Sequence, residues 1–565
     1  MNNIFDELRD EIRKVTAAAC SRCIEAGTLP LEAMPEINLE VPRERGFGDF
    51  STNLAMQLAK PARMAPRIIA DLLMAAMRLE GTEIEKVEVA GPGFINFTLR
   101  PHWLAQAMRL IREKGENYGQ LEVGRGKRVN VEFVSANPTG PLHMGNARGG
   151  ALGDCIAGVL SKAGYEVTRE FYINDAGNQI EKLGLSLEAR YLQLLQGEET
   201  VEFPEDAYHG EDIVDHARAY IEAHGDALLS VPSEERRKIL AGYALPINLE
   251  RIREGLARYG ISYDVWFSEK SLYDSGEVAE TLAWLRENGF TVEKEGALWL
   301  SGEKTGLEKD EVLVRANGFP TYMAADIAYH RNKLQKRGFD WAIDLWGADH
   351  HGHVARMHGA MSPFGVKKEQ LTVVLFQLVR LYRNGEIARM SKRTGKAISL
   401  GDLLDEVGRD AARFFFNLKA AGSHLDFDLD LAVKQSNDNP VFYVQYAHAR
   451  ISNILRRLSE EDGITLKPVE QVDLSVLTAP EEVSLMRKLA EYPEEVGIAA
   501  ASLEPSRLTR YVMDVAAEFH SFYAACRVKG EAETLLQARL TLVECTRVVI
   551  RNVLDLIRIE APERM

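Results

Sequence analysis

VEFVSANPTGPLHMGNARGGALGD, Val131 to Asp154, decides the fold. Val129, Val131 and Phe133 alternate with Asn130, Glu132 and Val134, the period of a half- or fully buried strand. The run stops in Ala-Asn-Pro-Thr-Gly-Pro, where Pro138 and Pro141 lack the N–H a ladder needs and Gly140 relaxes the backbone, so a turn follows. Beyond it the chain turns small, through Ala147, Gly149, Gly150, Ala151 and Gly153, which suits a helix lying close against a sheet. Strand, tight loop and helix in this order gather free N–H groups and a helix dipole where an anion is favoured. Gly145 lets a ligand approach backbone, and His143 and Asn146 stand at the helix mouth as donors. The string is neither GxxxxGK[ST] nor GxGxxG.

A second element, RMSKRTGKAISL, runs from Arg389 to Leu400. Arg389, Ser391, Lys392, Arg393 and Lys396 lie in a loop with Gly385 before it and Gly395 within it. A flexible basic loop can close over a triphosphate and neutralise the charge of departing pyrophosphate. Alone it reads as a solvated basic turn; beside the first element it frames a nucleotide.

Outward from these elements the chain is long, at 565 residues, and suggests about four modules. The expected fold class is α/β: a Rossmann-type catalytic domain with an N-terminal α+β domain and a C-terminal all-α bundle. Residues 1–115 form the first module, with a turn at Gly46–Asp49 and short strands at Val87–Val89 and Phe94–Phe97. Residues 125–380 form the nucleotide domain, with a helical, acidic insertion over about 195–300. Its parallel sheet is expected to resume at Val312–Val314 and Trp341–Leu345. Residues 381–434 hold the basic loop and connecting helices. Residues 435–565 show apolar positions at threes and fours, a helix bundle. Tyr443, Tyr446, Phe519 and Tyr523 there are offered to RNA stacking, although core packing is the simpler reading for each.

Composition excludes several classes. No apolar run is long enough for a membrane span, and the charged amphipathic start marks no secretion, so a cytoplasmic protein with no membrane partner is expected. Five cysteines make no disulfide framework in a chain of this size, and the Cys20–Cys23 pair has no second pair to complete a metal site. The net charge of −16 argues against a nucleic-acid partner, but binding follows local patches rather than the sum.

His143-Met-Gly-Asn146 and Arg389-Met-Ser-Lys-Arg393 resemble the HIGH and KMSKS signatures of class I aminoacyl-tRNA synthetases. EFVSANPTGPLH (Glu132–His143), TYMAADIAYH (Thr321–His330), GADHHGHV (Gly347–Val354), MSKRTG (Met390–Gly395) and SHLDFDLDLA (Ser423–Ala432) resemble the arginyl branch of bacterial type. GDFSTNLAMQLAK (Gly48–Lys60) and AGPGFINF (Ala90–Phe97) do too, so the likeness spans nearly the whole chain. It implies an N-terminal domain on the tRNA corner, a C-terminal anticodon-binding domain, and L-arginine, ATP with Mg2+, and tRNA(Arg) as partners of a monomer. It implies catalytic roles for His143, Asn146 and Lys392. ATP would be held by Pro138, Gly140, His143, Gly145, Asn146, Asp349, His351, Met390, Ser391 and Lys392. The resemblance puts Glu132, Ser135 and Asn137 at the amino end of arginine. It puts Tyr322 and Asp326, which share one face of a predicted helix, at the guanidinium. It also implies that arginine is activated only with tRNA bound.

Asn146 stands where HIGH ends in histidine, and an amide donates but cannot become cationic; Arg389 and Arg393 depart from KMSKS, which reads as adaptation because Lys392 is kept. Asp349, His350, His351 and His353 invite a zinc reading, but HHxH lacks zincin spacing, so no metal site is expected and Asp349 and His351 are read as lining the ribose or base. Lysine lacks the guanidinium fork and would leave buried acceptors unpaired, so no editing site is expected. The rivals are a class I enzyme of other specificity, which would lack the Tyr322–Asp326 pair, a non-catalytic RNA-binding relative, which would lose His143 or Lys392, and a small nucleotidyltransferase, which needs no bundle.

Overall fold

Five strands pair in parallel around the stretch that opens at Val131. They are Arg128–Glu132, Glu166–Ile173, Val265–Ser268, Trp341–Gly347 and Leu371–Phe376. Across the sheet they lie in the order 371–376, 341–347, 128–132, 166–173, 265–268. The structure, a computed structural model, describes residues 4–31, 34–42, 45–388 and 398–565. The first strand in the chain is central; the chain runs outward on one side of it and later returns on the other. Strand order therefore reverses beside Glu132, and a crevice opens at the carboxyl ends of the strands there.

The small residues after the turn do what their size suggests. They lie on the helix Met144–Lys162, which packs onto the sheet. A Cβ on Gly153 would sit 2.2 Å from Phe133, and one on Gly149 would sit 3.0 Å from the ring of Phe376. Only hydrogen at these positions lets the helix approach so closely.

The N-terminal module pairs Phe50–Thr52, Phe94–Leu99 and Ile84–Ala90 into an antiparallel sheet, which includes both short strands read from the sequence. Cys20 and Cys23 are buried free thiols on its first helix, Ile4–Glu25. The module docks on the C-terminal bundle: Arg487 pairs with Asp49, and Asn552 Nδ2 donates to the Gly115 carbonyl at 2.8 Å. The bundle holds the helices Pro440–Asp462, Pro480–Ala490, Tyr492–Ser502, Ser506–Ala525 and Glu533–Leu556. Phe519 is fully buried within it, a core residue and not a base-stacking one; Tyr446 is exposed.

Three expectations are corrected. Val312–Val314 does not resume the parallel sheet. Glu311–Val314 pairs antiparallel with Ala297–Leu300, which pairs in turn with Thr291–Lys294. A run of three apolar residues fits any sheet, and its partner is set by the chain's path. The 195–300 stretch is not wholly helical either, because Val265–Ser268 forms the edge strand of the main sheet beside Glu170–Ile173. Four half-buried residues carry too little periodicity to show this. Residues 381–434 hold strands as well as helices: Val379–Arg383 pairs with Glu386–Ile387 and with Leu425–Asp428.

No helix among the described residues is long and apolar enough to cross a membrane.

Candidate active site

The central strand ends in a bend that few side chains tolerate. Val134 and Ser135 both have positive φ, 71° and 35°, in the left-handed region that a β-branched residue rarely enters. The neighbours over-determine this bend. Ser135 Oγ donates to Glu132 Oε1 at 2.8 Å and accepts the Tyr172 N–H at 3.1 Å. Farther along, the Pro138 carbonyl accepts Asn248 Nδ2 at 3.0 Å, so the insertion's long helix, Ser233–Arg258, braces the turn. Glu132, Ser135 and Asn137 thus lie at or just beyond the carboxyl end of the strand, at the crevice.

The helix mouth follows. His143 is exposed and caps Met144–Lys162, and Asn146 Oδ1 accepts the His143 N–H at 3.1 Å. That bond uses the amide oxygen and leaves the NH2 group to donate. A cationic histidine at 146 would have no acceptor and would lose this cap, whereas the amide keeps the cap and still donates. Arg389, Met390, Ser391, Lys392, Arg393 and Lys396 lie outside the described residues, but their flanks are placed. Ala388 N donates to Leu381 O at 2.8 Å, Leu400 N donates to Leu142 O at 2.9 Å, and Ser399 bridges His143. Arg148, buried on the same helix, donates to the carbonyls of Gln377 at 2.6 Å and Ala420 at 3.1 Å, tying the helix to the small sheet before the loop. The flanks of the second element therefore lie beside the first.

An acidic pocket opens at the far side of the crevice. Tyr322 and Asp326 lie four residues apart on the helix Tyr322–Arg331, as the sequence predicts. Tyr322 is about half exposed, and a Cβ at Gly177, where φ is +77°, would sit 3.3 Å from its hydroxyl, so glycine is required there. Asp326 Oδ2 contacts His353 Nε2 at 3.0 Å, and the His353 ring packs on Trp346 with centroids 5.3 Å apart. Glu269, at the end of the edge strand, is almost fully buried, and its carboxyl is pushed up to about 7 by burial, then by the charges of Asp326 and Asp175. The Tyr172 hydroxyl is buried with no hydrogen-bond partner among the described residues. Its pKa is raised well above the usual range by burial and by Glu269, Asp326 and Glu132. Among the described residues no lysine or arginine pairs with Asp326 or Glu269. Two carboxylates and two phenol oxygens can accept the several N–H donors of a planar cation.

Comparison with known proteins bears on this geometry directly. Residues 108–419 match the catalytic domain of class I tRNA synthetases (R), residues 6–99 the arginyl tRNA synthetase N-terminal domain, and residues 444–565 the DALR anticodon binding domain. The chain is 64% identical to the arginine–tRNA ligase of Acetivibrio thermocellus and 63% identical to that of Ruminiclostridium cellulolyticum, each over 100% of both chains. The chain belongs to the arginyl-tRNA synthetase family. It is thus an aminoacyl-tRNA ligase of class I. The solved arginyl-tRNA synthetase of Thermus thermophilus, at 24% identity, superposes with a TM-score of 0.75 over 99% of this chain and 100% of its own, and shows the same fold.

Seen on this synthetase, the residues singled out from sequence fall in two groups. Glu132, Ser135, Asn137, Pro138, Gly140, His143, Gly145 and Asn146 line one continuous path from strand end to helix mouth. Tyr322 and Asp326 face it across Tyr172. Asp349 and His351 lie at the carboxyl end of Trp341–Gly347, exposed at the start of the next helix. His353, passed over in the same GADHHGHV string, is the histidine that touches Asp326. Glu269 and Tyr172 were not legible: each sits in a short strand or its exit with no motif around it.

Proposed function

We propose that this chain is an arginine–tRNA ligase that joins L-arginine to the terminal ribose of tRNA(Arg) in two in-line steps, with the first requiring bound tRNA. The acidic pocket supports this reading most strongly: Asp326 and Glu269 accept the guanidinium, with the Tyr172 and Tyr322 hydroxyls beside it. Glu132, Ser135 and Asn137 hold the amino end, which leaves the α-carboxylate directed toward the helix mouth.

In the first step the arginine carboxylate attacks the α-phosphate of ATP and pyrophosphate leaves. The carboxylate is already nucleophilic, so positioning and charge stabilisation supply the catalysis. His143 and the free NH2 of Asn146 donate to phosphate oxygens at the helix N-terminus, where the dipole adds to them. Pro138, Gly140 and Gly145 let the nucleotide lie against backbone, and Asp349 and His351 take the ribose or base side. Lys392, with Met390, Ser391 and the neighbouring arginines, neutralises the pyrophosphate. No three acidic, imidazole or thiol groups among the described residues come together to hold a resident ion. Mg2+ enters with ATP, as part of that substrate. In the second step a ribose hydroxyl of the tRNA attacks the carbonyl carbon of the arginyl adenylate, the acyl–phosphate bond breaks, and AMP leaves.

The tRNA requirement means that bound tRNA favours a site conformation only sparsely populated without it. The reading also carries a cytoplasmic monomer. ATP–pyrophosphate exchange with each of the twenty amino acids, with and without tRNA, tests it. Exchange with arginine alone, and only with tRNA, is the expected result. Exchange with another amino acid would overturn the specificity, and arginine exchange without tRNA would overturn the coupling.

A further inference from the structure

Beneath the arginine pocket, on the floor formed by the three central strands, lies a set of ionisable groups of which only Glu132 is used above. Glu132, Glu170 and Asp344 come from adjacent strands, and His330, Lys333 and Arg337 reach down to them from the chain that follows Asp326. The turn that delivers them is unusual. Arg337 N donates to Asn332 O at 2.9 Å, a five-residue reach, within the π-helical segment Asn332–Lys336. Wide turns of this kind in helices often mark functional sites.

The contacts of four of these groups form one unbroken chain, and Glu170 with Arg337 makes a separate pair beside it. Lys333 Nζ, with no exposure at all, donates to Glu132 Oε2 and, at 2.8 Å, to Asp344 Oδ1. Asp344 Oδ2 meets His330 Nε2 at 2.7 Å, and His330 Nδ1 meets the Asp326 carbonyl at 2.7 Å. A carbonyl can only accept, so Nδ1 carries a proton. Asp344 is ionised, held well below the usual carboxylate range by Lys333 and His330 against the cost of burial, so Nε2 carries one too. His330 is therefore an imidazolium: burial alone would lower its pKa, and Asp344 outweighs burial and raises it. Arg337 closes the set by donating to Glu170 Oε1 at 2.8 Å. Three carboxylates thus face three cations with no excess charge.

We infer that Lys333 is a positioning residue that sets specificity for the α-ammonium of arginine, by holding Glu132 ionised and aimed and by fixing it, through Asp344 and His330, against the residue that takes the guanidinium. The inference rests on the arginine reading of the pocket given above. Glu132 is buried, and burial pushes its carboxyl up while Lys333 pulls it back down; without that cation burial would act unopposed, and a neutral acid is a poor acceptor for an ammonium. Lys333 takes one oxygen and Ser135 the other, so the carboxylate cannot rotate. The same chain ends on the backbone of Asp326, so the two ends of the substrate are read by carboxylates joined through four rigid links. A shorter or longer amino acid satisfies only one end.

The test is calorimetric binding, with tRNA(Arg) present, of arginine and of δ-guanidinovalerate, which is arginine without its α-amino group. In Lys333→Met, arginine binding is expected to weaken about 10- to 100-fold, as for the loss of a charged hydrogen bond, while the analogue changes by less than about threefold. Equal weakening of both ligands, as a merely structural role predicts, or no change in either, overturns the inference. If Lys333→Met fails to fold by circular dichroism, Lys333→Arg keeps the charge but not the compact ammonium. It is expected to narrow the preference for arginine over the analogue by about fivefold or more, and an unchanged preference overturns the inference. A wild-type protein that binds neither ligand, or binds both alike, overturns the pocket reading itself, independently of either variant.

Discussion

Glu269→Gln is the most informative single substitution in the pocket. With its carboxyl near 7, Glu269 is about half protonated at neutral pH before arginine arrives. A bound guanidinium stabilises the anion, so arginine binding releases a proton and its affinity rises with pH. The ionised fraction falls from about nine-tenths at pH 8 to about one-tenth at pH 6, so arginine should bind about tenfold more weakly at pH 6. Glu269→Gln removes that slope and one charge-assisted hydrogen bond, worth about 1.5–3 kcal/mol, or roughly 10- to 150-fold in affinity. Stability moves the opposite way. The folded state binds this proton more tightly than the unfolded chain, so Glu269 lowers stability as pH rises from its ordinary 4.5 toward 7. The full shift corresponds to roughly 3 kcal/mol at pH 8, and the glutamine variant should be stabilised by up to that amount. Titration calorimetry in two buffers of different ionisation enthalpy reads the proton release, and chemical denaturation at pH 8 reads the stability. An arginine affinity that keeps its tenfold pH slope in Glu269→Gln would refute the reasoning, because the titrating group would then lie elsewhere.

Three further predictions test other parts of the design. Lys392→Ala should slow arginine-dependent pyrophosphate exchange by about 10²–10³ with little effect on arginine binding, and a normal rate would remove the basic loop from the chemistry. Gly153→Ala puts a methyl where Phe133 already stands, 2.2 Å away, and should cost about 1–3 kcal/mol in a urea titration; an unchanged midpoint would mean the helix can lift off the sheet freely. Arg413 is fully buried and donates to Asp154 at 2.6 Å and to the Ile557 carbonyl at 3.0 Å, joining the phosphate helix to the last helix of the bundle. Arg413→Met leaves Asp154 buried beside one remaining arginine, Arg169, and should cost about 3–5 kcal/mol; a loss under about 1 kcal/mol in the melting profile would show that the junction carries little of the stability.

Much of this protein was legible because its chemistry is local. A strand, a Pro-Gly turn and a run of small residues are contiguous, so the Val131–Asp154 string alone predicts a phosphate-holding helix mouth, and the spacing of Tyr322 and Asp326 alone predicts a shared face. The resemblance carried by those strings reached the family, and the family comparison agrees with it. What escaped was whatever depends on partners distant in the chain. Glu132 reads as a strand-end acid, but its partner Lys333 is 201 residues away. Glu269 is one glutamate among many until the edge strand sets it beside Asp326. Val312–Val314 goes to a different sheet from the one its sequence suggests, and Val265–Ser268 is hidden in a stretch that reads as helical, because a four-residue strand has no period long enough to name its sheet.

The sequence by itself determined the alternation, the breakers and the small residues, and with them the order of strand, turn and helix and the side chains offered to phosphate and guanidinium. These follow from short-range sterics and hydrogen bonding, which act between residues close in the chain. Only the tertiary structure decided which carboxylates are left without a cation and which are neutralised from below. Burial and charge pairing are properties of the three-dimensional neighbourhood: the same glutamate is an unremarkable surface acid in water and a proton-binding receptor beside Asp326.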